Sequence, residues 1–154
     1  MVRKRLLLDT NIVIDALARR KPFCESAGKL LILGKLGEFK LYISSSQITD
    51  VFYVLSGGGE KTEAPAAKER LRSLREGVDV SALSGEDIGT ALASTWPDFE
   101  DACVYQAAMR VKADCIITRN GQDFANSSIP VFSCEDFFAW YEHETGITYS
   151  EIGV

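Results

Sequence analysis

Short apolar runs alternate along this chain with longer amphipathic stretches, and the first run ends on an acid. Leu6-Leu7-Leu8 leads into Asp9-Thr10-Asn11, and Ile12-Val13-Ile14-Asp15 follows. The opening run is too short for a helix and apolar at consecutive positions, which predicts a central strand covered on both faces. A helix follows to about Ala18, and after a break at Pro22 an amphipathic helix covers 23–36, ended by Gly37. Residues 39–44 predict a second strand, and Ser44-Ser45-Ser46 supply capping oxygens for a helix over 47–55. Gly57-Gly58-Gly59 interrupts the chain ahead of a charged helix over 61–76, with Leu71 and Leu74 turned inward. Residues 77–80 predict a third strand, and Ser84 and Glu86 open a helix to about Ser94. Beyond a loop at Trp96-Pro97-Asp98, an Ala-rich helix runs over 99–112. Cys115-Ile116-Ile117-Thr118 predicts another buried strand, Ile129-Pro130-Val131-Phe132 a last short one, and 135–141 a last helix. Strands alternating with helices imply the α/β class: a three-layer α/β/α sandwich around a parallel sheet of four to five strands.

Composition narrows the picture without changing it. The 154 residues, 46% hydrophobic and 25% charged, suit one globular domain over 1–154. A formal net charge of -5 offers nucleic acid no general attraction, so any such contact needs a local basic patch or bound cations. Cys24, Cys103, Cys115 and Cys134 form no Cys-x-x-Cys pair, and His143 is the only histidine. These cysteines therefore read as free thiols of a reducing cytoplasm rather than as zinc ligands. The segment Met1-Val2-Arg3-Lys4-Arg5 is basic, but Asp9 and Asn11 break the apolar run behind it, so no signal peptide is expected. No run approaches membrane-spanning length, and the expectation is a cytoplasmic protein without a membrane partner.

The acids carry the candidate chemistry. Ligands of open parallel sheets collect outside the carboxyl ends of the strands. Asp9 falls there, where a carboxylate is costly unless compensated, and a divalent cation is one compensation. Asp50 lies on the flank of the helix after the second strand. Asp98 and Asp101 stand three apart at the head of the Ala-rich helix and so share a face. Asn120 and Asp123 follow the strand at 115–118, which puts them at the same sheet edge as Asp9 if the strands are parallel. Each acid has a plainer reading: Asp9 as a helix cap, Asp50 as a solvated side chain, Asp98 as an N-cap with Asp101 serving the helix dipole, and Asp123 as a turn residue. Their common topological position argues for a site.

Four segments, in this order and spacing, resemble the PIN-domain family, the fold of VapC-type toxins and related nucleases, over nearly the whole chain. They are Leu6-Leu7-Leu8-Asp9-Thr10-Asn11, Phe99-Glu100-Asp101-Ala102, Ile117-Thr118-Arg119-Asn120-Gly121-Gln122-Asp123-Phe124, and Ile129-Pro130-Val131 followed by Glu135-Asp136-Phe137-Phe138. The resemblance implies Asp9 as the first metal ligand and Asp101 as the acid of the long helix. Asp50 stands at a helical position where many members carry Glu. Asn120 stands where the toxins often carry Asp, so either Asp123 substitutes or Asn120 binds through its amide oxygen or a water. The implied cofactor is Mg²⁺ or Mn²⁺, held by Asp9, Asp101 and Asp123, with Thr10, Asn11, Asp98 and Thr118 orienting ligands or waters from behind. The implied activity is cleavage of RNA phosphodiester bonds, with RNA as substrate, an antitoxin as partner and a homodimer as the assembled form.

Arg119 borders the expected cleft and is the leading cation for RNA, with Arg19-Arg20-Lys21 and the face of Lys68, Arg70, Arg72 and Arg75 as further candidates. Tyr53 and Trp96 are the aromatics that could stack on a base. Two other functions compete: a non-catalytic PIN scaffold binding RNA or protein, which Asn120 favours, and a haloacid-dehalogenase-like phosphohydrolase. The latter also starts with an acid after the first strand but wants a second Asp where Asn11 stands. The glycine run before Lys61-Thr62 lacks the Gly that a phosphate loop needs before Lys, and no nucleophile elbow surrounds His143.

Overall fold

The structure, a computed structural model, describes residues 2–149; Met1 of the basic N-terminal run and residues 150–154 of the expected domain lie outside them. The chain runs β1 (Arg5–Leu8), α1 (Thr10–Leu17), α2 (Cys24–Lys35), β2 (Lys40–Ser44), α3 (Ser45–Leu55), α4 (Ala64–Leu74), β3 (Val78–Ser81), α5 (Gly85–Ala93), α6 (Phe99–Arg110), β4 (Cys115–Ile117), a 3₁₀ turn (Gly121–Phe124), β5 (Val131–Phe132) and α7 (Cys134–Thr145). All four strand pairings are parallel, in the order β3-β2-β1-β4-β5. The expected α/β sandwich with a sheet of four to five strands is the fold observed, with five.

The apolar run at 6–8 is explained by its place in the sheet. β1 is the middle strand, with Leu6 paired to Leu41 on one side and to Cys115 on the other. Its residues alternate between faces. Leu6 and Leu8 join the core of Leu30, Leu33, Phe39, Ile43 and Phe137. Leu7 joins Val104, Ala107, Ala108, Ile116 and Phe124 on the opposite face. All three leucines are fully buried. The Ala-rich sequence of α6 fits the second face because Ala107 and Ala108 let the helix lie close to the sheet.

Helix boundaries follow the caps. Ser44 caps α3 by accepting the Gln47 N–H at 3.2 Å, while Gln47 Oε1 accepts the Ser44 N–H at 2.7 Å. This reciprocal box starts the helix two residues earlier than the apolar pattern suggests. Ser133 caps α7, which runs on to Gly146 in the left-handed region (φ 74), well past 141. The 3₁₀ turn has no apolar periodicity to announce it; the burial of Phe124 closes it onto the sheet.

Gly77, entering β3, lies against the end of α2. A Cβ there would sit 2.7 Å from the Lys35 backbone nitrogen, and backbone cannot yield as a side chain does. Gly77→Ala is therefore expected to destabilise the protein by roughly 1–3 kcal/mol. Gly89, inside α5 with nothing within 4 Å of an added Cβ, is the contrast. Gly89→Ala is expected to stabilise by about 0.5–1 kcal/mol. Urea unfolding of both variants checks the pair, and equal signs would contradict it.

Candidate metal centre

The strand order reverses between β1 and β4, so the crevice outside their carboxyl ends is the switch point of the sheet. Asp9 follows β1 there, and Thr118 follows β4. Asp9 is 9% exposed. Its Oδ1 accepts the Thr10 N–H at 2.8 Å, so it does cap α1. Its Oδ2 accepts the Thr118 hydroxyl at 2.7 Å and the Asn11 amide at 3.2 Å. Burial pushes the Asp9 carboxyl up, and the nearby Asp123 adds to this, against the lowering effect of the Thr118 and Thr10 hydrogen bonds and of Arg119.

Asp101 sits half-buried in the first turn of α6. Its backbone N–H donates to Asp98 Oδ1 at 3.0 Å, which makes Asp98 the helix cap of the plainer reading. The Asp101 carboxyl is pushed up to about 7 by burial, then by the charges of Asp98, Asp9, Asp123 and Glu100. Asp9, Asp101 and the exposed Asp50 of α3 line one cleft of about 670 Å³. Asp98, Asp101 and Asp123 line a smaller one of about 140 Å³. Asp101 therefore faces both. Asn120 is exposed at the head of the 3₁₀ turn, where its backbone N–H donates to Thr118 Oγ1 at 3.0 Å; neither cleft includes its side chain.

The walls of the larger cleft are tied to the scaffold. Gln47, buried where α3 begins, donates from Nε2 to the Leu8 carbonyl at 2.8 Å and to Thr10 Oγ1 at 3.3 Å. Across the cleft, Arg110 of α6 grips Asp87 of α5 at 2.8 Å and Ser84 Oγ at 3.0 Å, which fixes the wall bearing Leu83 and Ile88. Gln47 was legible only as the start of a helix, and its link to β1 had no sequence signal.

Arg119 requires a correction. Instead of facing solvent as a cation for RNA, it is paired to Asp15, a wholly buried carboxylate of α1, with Nε to Oδ2 at 2.6 Å and Nη2 to Oδ1 at 3.2 Å. Its guanidinium also lies 4.1 Å from the ring centroid of Phe23. An uncompensated charge at Asp15 would be too costly to bury, so the arginine is held by it. Its backbone N–H donates to Asn11 Oδ1 at 3.4 Å, which steers the other end of that amide toward Asp9. An acid closing the apolar run Ile12-Val13-Ile14 was the signal for this pair. Trp96 is likewise engaged, stacked on Tyr105 at 4.8 Å and edge-on to Phe124 at 5.6 Å, whereas Tyr53 is exposed.

The donor set at the crevice is all oxygen, the chemistry of a hard divalent cation rather than of zinc. The thiols stand apart from it as free cysteines, except that Cys103 lines the cleft. Among the described residues, no three acidic, histidine or cysteine side chains converge closely enough to cage an ion by themselves. Asp9 and Asp101 are the residues that could hold one, with the exposed Asp50 and Asp123 in the linings of the two clefts.

An open parallel sheet with carboxylates gathered at its switch point defines the class: an α/β protein with an acidic crevice site. A family model described as PIN domain matches residues 5–122, and the chain belongs to that family. Solved structures of the same fold include VapBC2 from Rickettsia felis bound to a DNA fragment from their promoter, at 16% identity over 84% of this chain and 97% of that one, TM-score 0.57. A toxin-antitoxin complex from Klebsiella pneumoniae is similar at 25% identity with the same coverage and TM-score 0.58. PAE2754 from Pyrobaculum aerophilum is similar at 15% identity over 91% of this chain and 90% of that one, TM-score 0.61. A comparison with curated proteins gives no match. With the family shown, the phosphohydrolase alternative falls away; the Asn11 amide is bound to Asp9 and Arg119 and carries no carboxyl proton to give. Among the described residues, no helix is long and apolar enough to cross a membrane.

Arg119→Ala leaves the Asp15 charge buried without its partner and is expected to cost about 3–5 kcal/mol in urea unfolding; a loss typical of an exposed residue would refute the pairing. Asp101, with its folded value near 7 against 3.8 when free, keeps a proton that the unfolded chain has given up. Stability of the metal-free protein should then fall as pH rises from about 4 to about 7 and level off above. In Asp101→Asn that part of the slope should vanish, which melting curves across this range in EDTA would show.

Proposed function

We propose that this protein is a divalent-metal-dependent ribonuclease that cleaves RNA phosphodiester bonds in the cleft between Asp9 and Asp101, with Mg²⁺ or Mn²⁺ as the ion. The observation that carries this reading is the meeting of a buried and a half-buried carboxylate at the switch-point crevice, where their charges oppose one another and, among the described residues, no basic side chain is ion-paired to either. Such crowding favours a bound cation. A divalent ion held there supplies an acidified water at neutral pH and offsets the charge of the phosphate.

The chain's own part is positioning. The Thr10 N–H at the head of α1 and the Thr118 hydroxyl after β4 fix the Asp9 carboxylate from two sides, and Asn11 is fixed in turn by Arg119. Asp98 fixes the first turn of α6 and with it Asp101. Asp50 and Asp123 border the two clefts from exposed positions and would be available to help hold the ion. The likeness to a Klebsiella pneumoniae toxin-antitoxin complex supports a further element of the proposal: the protein is the toxin of such a pair, and an antitoxin is its partner. Proteins of this kind act in the cytoplasm, and we place this one there with them.

A second reading, a non-catalytic PIN scaffold, draws on two observations. No ready-made three-residue cage exists among the described residues, and an amide stands at Asn120. Calorimetric titration with Mn²⁺ separates the two, because the scaffold binds no ion at millimolar concentration.

Asp9→Asn and Asp101→Asn are each expected to lower Mn²⁺-dependent RNA cleavage by at least about 100-fold, beyond what loss of a supporting hydrogen bond costs, with circular dichroism unchanged. Cleavage that survives both substitutions would sink the site.

A further inference from the structure

An acidic cleft that is to hold RNA needs a cation of its own. The protein carries a net charge of -5, and the larger cleft is lined by Asp9, Asp50, Glu100 and Asp101. Arg119 is consumed by Asp15. Among the described residues, one basic side chain lines that cleft, Arg20. It is exposed, and its guanidinium enters none of the ion pairs or hydrogen bonds found there. Arg110, the other arginine near this wall, is bound to Asp87.

The backbone under Arg20 is held firmly although its side chain is free. Its N–H donates to the Asp15 carbonyl at 3.0 Å. Its carbonyl accepts the N–H groups of Phe23 at 2.9 Å and Cys24 at 2.7 Å. The residue before it, Arg19, is in the left-handed region at φ 52, which is uncommon for a residue other than glycine. The turn is therefore fixed at the end of α1 by the helix whose start bears Asp9. One helix thus sets an acid and a base on the same cleft. The cleft also presents apolar surface, with Phe99 46% exposed and Ile88 38% exposed, and among the described residues none of its carboxylates is paired to the guanidinium.

We propose that Arg20 is a substrate-binding residue that clamps an RNA phosphate next to the one being cut, in the cleft it shares with Asp9 and Asp101. The proposal rests on the ribonuclease reading. A guanidinium suits the role because its planar fork takes two phosphate oxygens at once. It also neutralises one backbone charge at the place where the carboxylates repel it. Because the clamped phosphate is not the reacting one, its contribution is to binding and not to the chemical step.

The test combines cleavage kinetics with equilibrium binding of a fluorescent single-stranded RNA, in Mn²⁺ and in EDTA, for wild type, Arg20→Ala and Arg20→Lys. For Arg20→Ala we expect KM to rise roughly ten- to hundredfold, the slope of log affinity against log salt to become shallower by about 0.7, and the melting temperature to hold. Arg20→Lys should recover the slope but only part of the affinity, because an ammonium is a point charge. Equal salt slopes for wild type and Arg20→Ala, a loss confined to kcat, or a loss matched by a fall in melting temperature overturns the proposal. If wild type binds RNA with an Arg20-dependent slope yet cuts none, the ribonuclease reading fails and the clamp stands. If wild type binds no RNA in either buffer, both fail.

Discussion

The hydrogen bond from the Thr118 hydroxyl to Asp9, 2.7 Å long, is the constraint on which the site depends. It joins the residue after β1 to the residue after β4 across the point where the sheet changes direction. The same hydroxyl accepts the Asn120 N–H at 3.0 Å, so one oxygen fixes both the acid and the start of the 3₁₀ turn. Asp9 is further held by the head of α1 and by Asn11. A buried carboxylate with neutral donors on both oxygens is satisfied as a hydrogen-bond acceptor, while its burial still outweighs the help its charge receives from Arg119. That combination holds it in place with a raised carboxyl, a state that the proposed cation would relieve.

The charges near the crevice divide into spent and unspent ones. Arg119, Asp15, Arg110 and Asp87 are closed pairs that join α1 to β4 and α5 to α6. Both pairs lie just outside the cleft, where they stiffen its walls. Among the described residues, Asp9, Asp50, Glu100, Asp101 and Arg20 remain without an opposite charge within ion-pair distance. A fold uses its ion pairs where geometry must be fixed and leaves unpaired groups where something else is to arrive.

The features visible in the sequence were those with a local cause. Leu6-Leu7-Leu8 marked the central strand because burial on both faces removes any polar alternation. Asp9 was marked by its place after that run, and Asp98 and Asp101 by their spacing at a helix head. What escaped had a partner far along the chain. Arg119 read as a candidate RNA contact because Asp15, 104 residues earlier, marks a buried acid without marking which cation meets it. Gln47 reaches β1 across 39 positions, and nothing in its neighbours requires that. Asp98 illustrates the converse: its plainer role as a cap and its nearness to Asp101 are both real, since the cap that starts α6 also adds to the charge that Asp101 feels.

The amide at Asn120 need not leave the crevice short of charge. Asp123 is among the groups that raise both Asp9 and Asp101, so its carboxylate is electrostatically part of the cluster. The 3₁₀ turn is what brings it there. Three residues make one turn of such a helix, so Asp123 returns over Asn120, and the backbone N–H of Asp123 donates to the Asn120 carbonyl at 3.0 Å. The negative charge that comes directly after Thr-Arg in many toxins is here carried one turn further on, at the rim of the smaller cleft. Asp123 is exposed and accepts no side-chain hydrogen bond among the described residues, whereas Asp9 is buried and held on both oxygens. The crevice therefore pairs one fixed carboxylate, Asp9, with one adaptable carboxylate, Asp123, on either side of Asp101. On the proposed reading, such an arrangement would let the second side adjust to an ion held by the first.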